Sequence, residues 1–282
     1  MEIRSIAVLG AGTMGHGIAH AATAGGYETR MYDVDHAAVE KGRASIDQIV
    51  RKGVDLGKVA APEGEAMLRR LTTSSRLDEA LAGADFVIEA APERIDLKLQ
   101  LFADIERLAP PSAVIASNTS ALSITEMAGS LSNPSRVAGM HFFNPVHKMK
   151  LIEIVRALET SAETLAAVEE VSRRMGKETV LVRESPGFIT TRVNASIGNE
   201  AFYMLMEGVA SARDIDKALK LGLNHPMGPF ELVDLVGLDT RLSILEYLHR
   251  SMGEKYRPCP LLAQYVKAGR LGRKVGRGVY EY

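Results

Sequence analysis

The sequence predicts an α/β domain with a mostly parallel sheet, followed by an all-helical C-terminal domain. Short apolar runs alternate with longer amphipathic segments over residues 1–184, the pattern of strands joined by helices that cover both faces of a parallel sheet. After the segment ESPGF, only helical periodicity follows. A glycine-rich turn joins the first predicted strand to the first helix. These observations predict a boundary near Ser185, between an α/β domain, 1–184, and a helical domain, 185–282.

The predicted strands are apolar runs that end in glycine, proline or polar turn residues. In chain order they are IRSIAVLGAG, YETRMYDVD, ADFVIEAAPE, AVIASNTSA, RVAGMHFFNP, LIEIV and ETVLVRE. The predicted helices between them are GHGIAHAATAGG, residues 36–53, residues 54–70, LKLQLFADIERLA and TLAAVEEVSRRMG. The helices beyond Ser185 have apolar faces that need covering, which favours a homodimer through the C-terminal domain.

The composition excludes several classes of function. The net charge is −1, so we expect no nucleic-acid partner. No apolar run reaches the roughly 18 residues of a membrane span, and a strand begins almost at once, so we expect neither membrane association nor a signal peptide. Cys259 is the single cysteine, which excludes an internal disulfide and favours a reducing, cytoplasmic location. Without metal-ligand spacing among His, Cys and acidic residues, we predict no metal site.

The glycine-rich turn has the spacing of a phosphate-binding loop. The pattern G-x-G-x-x-G is formed by Gly10, Ala11, Gly12, Thr13, Met14 and Gly15. Between a strand and a helix, this pattern lets the backbone approach a pyrophosphate, which the helix N-terminus binds. Asp33 closes the second strand, where a carboxylate binds the ribose hydroxyls of NAD and repels the 2′-phosphate of NADP. The sequence therefore predicts a Rossmann-type domain that binds NAD.

Candidate reacting groups follow three later strands. Glu93 follows one strand, the S-N-T-S segment that ends at Ser120 follows the next, and His141 and Asn144 close the third. Because ligands gather at the carboxyl ends of strands in open α/β sheets, we expect these side chains to lie near the nicotinamide. The S-N-T-S segment is also typical of a helix cap, and different members of it can serve both purposes.

A carboxylate in the apolar run LIEIV needs a partner. Glu153 shares its strand face with Leu151 and Val155, so that face is dry, and a carboxylate buried alone is costly. If this strand lies beside the one that carries His141, Glu153 can hydrogen-bond one imidazole nitrogen and leave the other to act as a base. Alcohol oxidation needs such a base for the hydroxyl proton while NAD takes the hydride.

Seven segments together resemble one family over essentially the whole chain. They are GAGTMGHGIA, VIEAAPE, SNTSALSIT, HFFNPVHKMKLIEIV, SPGFI, DIDKALKLGLNHPMGPFEL and GRKVGRGVYEY. In this order they resemble the 3-hydroxyacyl-CoA dehydrogenases, and look closest to the bacterial stand-alone 3-hydroxybutyryl-CoA dehydrogenases. The resemblance implies a Rossmann domain, a C-terminal helical domain that forms a dimer, and NAD-linked oxidation of short-chain (S)-3-hydroxyacyl-CoA.

The same resemblance implies roles for individual residues. It implies that His141 is the catalytic base, that Glu153 orients it, and that Ser120 contacts both substrate and cofactor. Asn144 is then near the nicotinamide and Asp33 on the ribose. Further cofactor contacts are implied for Ala90, Glu93, Lys98 and Lys274. CoA contacts are implied for Ser45, Lys52 and Lys98, although a lysine on the solvated face of a helix is an equal alternative for Lys52 and Lys98.

One departure from the family pattern concerns the substrate side. The family often has P-G-F-x-x-N-R, and this chain has PGFITTR, so Thr191 stands where the family has an active-site asparagine.

Two alternatives to the main hypothesis remain open. One is an NAD-dependent dehydrogenase of a free hydroxy acid or sugar acid, of the gulonate type. The other is a non-catalytic, NAD-binding or crystallin-like protein, which the presence of His141, Glu153 and Ser120 disfavours.

Overall fold

The computed structural model describes residues 2–282 and divides the chain into two compact units. The first unit ends at Glu184 and the second is Ser185–Tyr282. A hydrophobic core of its own lies in each unit: Ile6, Val8 and Met140 belong to the first core, and Phe202 and Phe230 to the second. Within the described residues, no helix is both long and apolar enough to cross a lipid bilayer.

The first unit is built on a single sheet of eight strands. The strands are β1 (Ser5–Leu9), β2 (Glu28–Tyr32), β3 (Leu71–Ser74), β4 (Phe86–Glu89), β5 (Val114–Ser117), β6 (Val137–Phe142), β7 (Leu151–Arg156) and β8 (Glu178–Arg183). Their order across the sheet is β3-β2-β1-β4-β5-β6-β7-β8. Seven of the strands match predicted segments. Only β3 was missed, because the edge strand LTTS holds a single large apolar residue and has no strand-like run.

Helices connect the parallel strands and cover the sheet. In the first unit they are α1 (Thr13–Ala24), α2 (His36–Asp55), α3 (Ala61–Arg69), α4 (Leu77–Leu81), α5 (Ile95–Leu108), α6 (Ile124–Gly129) and α7 (Ala162–Arg174). The fold class predicted for this unit is confirmed. The predicted helix over residues 54–70 was too long, because Gly57 adopts a positive φ of 65° that ends the preceding helix before α3 begins.

The last two strands reverse the direction of the sheet. β1, β2, β3, β4, β5 and β6 run parallel, whereas β7 is antiparallel to β6, and β8 is parallel to β7. The connection between β6 and β7, residues 143–150, is too short for the crossover that parallel neighbours require. The reversal places the end of β6 beside the beginning of β7, at the same edge of the sheet as the phosphate-binding turn.

The second unit is helical, as the fold prediction states. Its helices are α8 (Thr190–Met206), α9 (Ala212–Gly222), α10 (Pro229–Val236), α11 (Leu238–Met252) and α12 (Pro260–Lys267). The C-terminal residues are held by Asp234, whose carboxylate accepts hydrogen bonds from the backbone N–H groups of Val279 and Tyr280. Cys259 is buried in this unit.

Candidate active site

The glycine-rich turn has the shape that a dinucleotide requires. Gly10 has a φ of 114°, and a Cβ there would lie 2.6 Å from the carbonyl oxygen of Ala90. A Cβ at Gly15 would lie 1.7 Å from the Gly10 carbonyl oxygen, so both positions demand glycine. A Cβ at Gly12 would meet no protein atom, and no side chain caps the first turn of α1. The helix N-terminus therefore presents open backbone N–H groups, which suit a pyrophosphate.

Asp33 stands at the end of β2, facing this turn. Its carboxylate accepts hydrogen bonds from the backbone N–H of Ala11 at 2.9 Å and of Asp35 at 3.1 Å. It lines a cavity of about 550 Å³ together with the glycine turn, Ala90 and apolar side chains that include Leu97. A carboxylate at the mouth of an apolar cavity suits an adenosine, whose ribose hydroxyls can donate to the acid while the base packs on the apolar wall.

Glu93 organises the loop that carries Ser120. Its Oε1 accepts hydrogen bonds from the Thr119 hydroxyl at 2.6 Å and from the backbone N–H groups of Ser120 at 2.8 Å and Ala121 at 3.2 Å. The turn after β5 is therefore held by the loop after β4. The expectation that Glu93 contacts the cofactor remains a prediction. Its observed hydrogen bonds show that it also holds the turn that carries Ser120.

Lys98 is not the solvated lysine that the sequence analysis kept as an alternative, because its side chain is 1% exposed. Its implied contacts with the cofactor and with CoA remain predictions. Its ammonium lies 2.6 Å from Glu89, 3.5 Å from Glu93 and 3.2 Å from the Ala91 carbonyl oxygen. The reason is its place on α5, where it shares the buried face with Phe102 and Ile105.

Glu89 is a site residue that the sequence analysis missed. It ends β4 and is fully buried. Besides Lys98, it accepts hydrogen bonds from the backbone N–H of Ala91 at 2.6 Å and from the hydroxyl of Ser117, the last residue of β5. The signal was present, because the run VIEAA holds a carboxylate as isolated as the one in LIEIV. Glu89 and Lys98 thus form a buried ion pair beneath the loops after β4 and β5, and the more exposed Glu93 extends it with an ammonium–carboxylate distance of 3.5 Å.

His141 and Glu153 face each other across two strands. The antiparallel register pairs them directly, and His141 Nδ1 lies 2.7 Å from Glu153 Oε2. Both side chains are buried, at 6% and 0% exposure. Because the carboxylate can only accept, Nδ1 is the donor. The ring of Phe143 packs on the imidazole, with centroids 4.6 Å apart. Glu153 therefore engages the Nδ1 side of the imidazole.

Asn118 ties the Ser120 loop to the strand of His141. Its side-chain oxygen accepts a hydrogen bond from the backbone N–H of Phe142 at 2.9 Å. The S-N-T-S segment is thus both a structured turn and a bridge between β5 and β6. Asn144 is the second residue after β6 and is exposed, at the same edge of the sheet as Ser120. This placement agrees with the expectation that the polar groups after three strands gather at one edge of the sheet.

The remaining predicted contacts lie on α2 and in the second unit. Ser45 and Lys52 lie two turns apart on α2, and Lys52 is exposed. Thr191 lies in the first turn of α8 and is half-buried. The ammonium of Lys274 is paired with Asp239 at 2.6 Å. Burial alone would raise the pKa of Asp239, but hydrogen bonds from Lys274 and from a backbone N–H outweigh it and lower the pKa below its ordinary value.

The fold and this edge of the sheet define a class of protein, an NAD-dependent oxidoreductase. The glycine turn, the ribose-side carboxylate and the apolar cavity fit the dinucleotide. Comparison with known proteins gives the family. The model described as 3-hydroxyacyl-CoA dehydrogenase, NAD binding domain, matches residues 5–185, and that of the C-terminal domain matches residues 187–282. The chain belongs to the 3-hydroxyacyl-CoA dehydrogenase family.

Relatives resemble the chain over its whole length. A probable 3-hydroxybutyryl-CoA dehydrogenase from Bacillus subtilis is 48% identical, covering 100% of this chain and 98% of the relative. A 3-hydroxybutyryl-CoA dehydrogenase from Bradyrhizobium diazoefficiens is 42% identical, over 99% of this chain and 96% of the relative. The crystal structure of (S)-3-hydroxybutyryl-CoA dehydrogenase from Ralstonia eutropha superposes with a TM-score of 0.95 at 44% identity, covering 100% and 99% of the two chains.

Proposed function

We propose that the protein interconverts short-chain (S)-3-hydroxyacyl-CoA, such as 3-hydroxybutyryl-CoA, with the matching 3-oxoacyl-CoA. The observation that carries this proposal is the buried His141–Glu153 pair, 2.7 Å apart at the edge of the sheet that holds the glycine turn. The short chain length is supported by the relatives, which are named for the four-carbon substrate. In the same proposal the protein is cytoplasmic and dimerises through its helical second domain, 185–282.

In the proposed mechanism His141 transfers the proton, and Glu153 orients the imidazole ring of His141. When bound, NAD accepts the hydride from the carbon that carries the hydroxyl. The Nε2 atom of His141 takes the hydroxyl proton as the alcohol becomes a carbonyl, and returns it in the reverse direction. Glu153 accepts from Nδ1–H, which fixes the tautomer and stabilises the imidazolium that forms. Burial keeps water from competing for both groups.

Other residues hold the reactants in this proposal. The hydroxyl of Ser120 and the amide of Asn144 donate to the substrate oxygen or the nicotinamide, where such donors stabilise developing negative charge. Thr191 supplies a shorter hydrogen-bonding group than asparagine on the substrate side. Lys274, now paired with Asp239, is the proposed cofactor contact of the second domain. Asp33 and residues 10–15 bind the adenosine and the pyrophosphate.

A substrate series tests the proposed chemistry. We expect NADH oxidation to be fastest with acetoacetyl-CoA and to fall as the 3-oxoacyl chain lengthens. Free acetoacetate should react at least about a hundredfold more slowly in kcat/KM, because it lacks the binding energy that the remote CoA group contributes to positioning. The measurement is NADH absorbance under matched conditions. Comparable rates with acetoacetate would instead favour a dehydrogenase of free hydroxy acids.

The role of Glu153 is tested by Glu153→Gln. The amide is close in shape but cannot stabilise the imidazolium, so we expect kcat to fall by roughly tenfold or more. NADH affinity and the midpoint of thermal unfolding should remain close to those of the parent enzyme. Glu178→Gln, an exposed change on the neighbouring strand β8, is the matched control. A folded Glu153→Gln protein with full turnover would show that the carboxylate does not assist His141.

A further inference from the structure

Glu89 lies between the two turns that the proposed reaction uses. In the sheet it is paired with Leu9, which precedes the glycine turn, and with Ser117, which precedes the turn that carries Ser120. Its side chain is fully buried, and none of the proposed catalytic steps uses it. A buried carboxylate is costly unless it is paired and hydrogen-bonded, so its presence at this point of the sheet calls for an explanation.

The contacts of Glu89 join three parts of the first unit. Oε1 accepts hydrogen bonds from the backbone N–H of Ala91 and from the ammonium of Lys98, each at 2.6 Å. Oε2 accepts from the hydroxyl of Ser117, and the backbone carbonyl accepts from the N–H of Asn118 at 2.8 Å. Glu89 is therefore in contact with the loop after β4, with α5 and with the end of β5.

Lys98 connects Glu89 to Glu93. The ammonium lies 2.6 Å from Glu89 and 3.5 Å from Oε2 of Glu93. The Glu93 side chain is 41% exposed, so burial does not fix it, and the attraction of a buried ammonium does so instead. With Oε2 held, Oε1 faces the turn, where it accepts from the N–H groups of Ser120 at 2.8 Å and Ala121 at 3.2 Å. A continuous chain of contacts thus leads from Glu89 to the Ser120 turn.

We propose that Glu89 is a positioning residue for the reaction, which fixes the backbone of the Ser120 turn through Lys98 and Glu93. This inference rests on the proposed function, in which the Ser120 hydroxyl donates to the substrate oxygen or the nicotinamide. Such a donor must be placed closely, because a displacement of about 1 Å can lower a rate about a hundredfold. Glu89 touches no reactant in this proposal, so its effect on turnover depends on Lys98.

Hydrogen exchange of backbone amides tests whether Glu89 fixes the turn. In Glu89→Gln the ammonium loses its closest carboxylate, so we expect the protection of the Ser120 and Ala121 N–H groups to fall about tenfold or more. The measurement is exchange detected by NMR on the full chain without ligands. The Val8 N–H, in the central strand β1, is the internal reference, because general destabilisation lowers its protection as well. Glu169→Gln, an exposed change on α7, should leave all three amides unchanged.

Turnover tests the route through Lys98. With saturating acetoacetyl-CoA and NADH, we expect kcat of Glu89→Gln to fall about tenfold or more. Lys98→Met breaks the same chain of contacts, so Glu89→Gln/Lys98→Met should have a kcat within about twofold of Lys98→Met alone. A residue that acts independently of Lys98 would instead add its own loss in that background. Glu169→Gln should keep the kcat of the parent enzyme.

The outcomes are distinct. A selective loss of protection in the turn, with no further fall in kcat in the Lys98→Met background, supports the proposal. Parent-like exchange and turnover in folded Glu89→Gln protein overturn it, as does an equal loss of protection at Val8 or a multiplicative loss of kcat in the double variant.

A second variant covers the case that Glu89→Gln does not fold. Glu89→Asp keeps the charge, but its carboxylate is shorter by one methylene and cannot reach the ammonium as closely. We expect the same selective loss of protection to a smaller extent, about threefold, and unchanged exchange at Ser120 and Ala121 would overturn the proposal. Failure of the proposed function is separate, because the parent enzyme would then not turn over acetoacetyl-CoA, whereas exchange is measured without substrate.

Discussion

Replacement of His141 by glutamine is expected to lower kcat by on the order of 10² or more, because the amide cannot accept the hydroxyl proton. Glutamine is close in length to histidine and can still donate a hydrogen bond to Glu153, so the buried carboxylate keeps a partner. NADH affinity, measured by the quenching of cofactor fluorescence, should stay within about twofold of the parent value. The loss should therefore lie in turnover and not in cofactor binding.

Two comparisons make this result specific. His249→Gln changes a histidine on α11 that pairs with Glu254 at the surface, and it should leave both kcat and NADH affinity unchanged. The double variant His141→Gln/Glu153→Gln should be scarcely slower than His141→Gln alone, because an orienting acid has no effect once the base is gone. Retention of turnover in folded His141→Gln protein would show that another group is the base.

Replacement of Lys98 by methionine is expected to lower the free energy of unfolding by about 3–5 kcal/mol, because it leaves the buried Glu89 carboxylate without its cation. Methionine fills a similar volume beside Phe102, so the loss should come from the charge and not from a cavity. The measurement is urea denaturation of the two proteins. With a total stability of about 5–15 kcal/mol for a typical domain, the change should be large and easily resolved.

Matched variants distinguish the loss of the ion pair from the effect of replacing any helical lysine by methionine. Lys41→Met removes a solvent-exposed lysine from the middle of α2. It should change the free energy of unfolding by less than about 0.5 kcal/mol. Adding Glu89→Gln to Lys98→Met should recover part of the loss, since the amide oxygen can still accept from Ala91 N–H without a buried charge. A Lys98→Met protein as stable as the parent would mean that the Lys98–Glu89 ion pair does not stabilise the fold.

The network around Lys98 also explains why distant parts of the sequence meet at the site. Glu89 and Glu93 hold backbone groups of the loops after β4 and β5, and Asn118 links the second loop to β6. The loops that flank the proposed reaction centre thus rest on ionic and amide contacts, and not on apolar packing alone. Polar networks of this kind hold a loop in one conformation when every member is satisfied.

Much of the molecule is determined locally, and the sequence by itself was sufficient for that part. The glycine spacing specifies the phosphate-binding turn, because only glycine tolerates the positive φ and the close backbone approach. Short apolar runs, which alternate with amphipathic helical segments, specify seven of the eight strands. The isolation of Glu153 in an apolar run indicated a partner and favoured His141, the dinucleotide turn indicated the reaction class, and the family resemblance agreed with both.

Other features depend on which surfaces meet, and only the tertiary structure decided them. The antiparallel register of β6 and β7 sets His141 directly opposite Glu153, where the sequence allowed a shift of either strand. The burial of Lys98 depends on the contact between α5 and the end of β4, and it makes this lysine the cation of an internal ion pair with Glu89 instead of a solvated side chain. Local periodicity shows that a helix has a buried face. What that face is buried against, and hence whether a charge on it is solvated or paired, is set by packing between elements far apart in the chain.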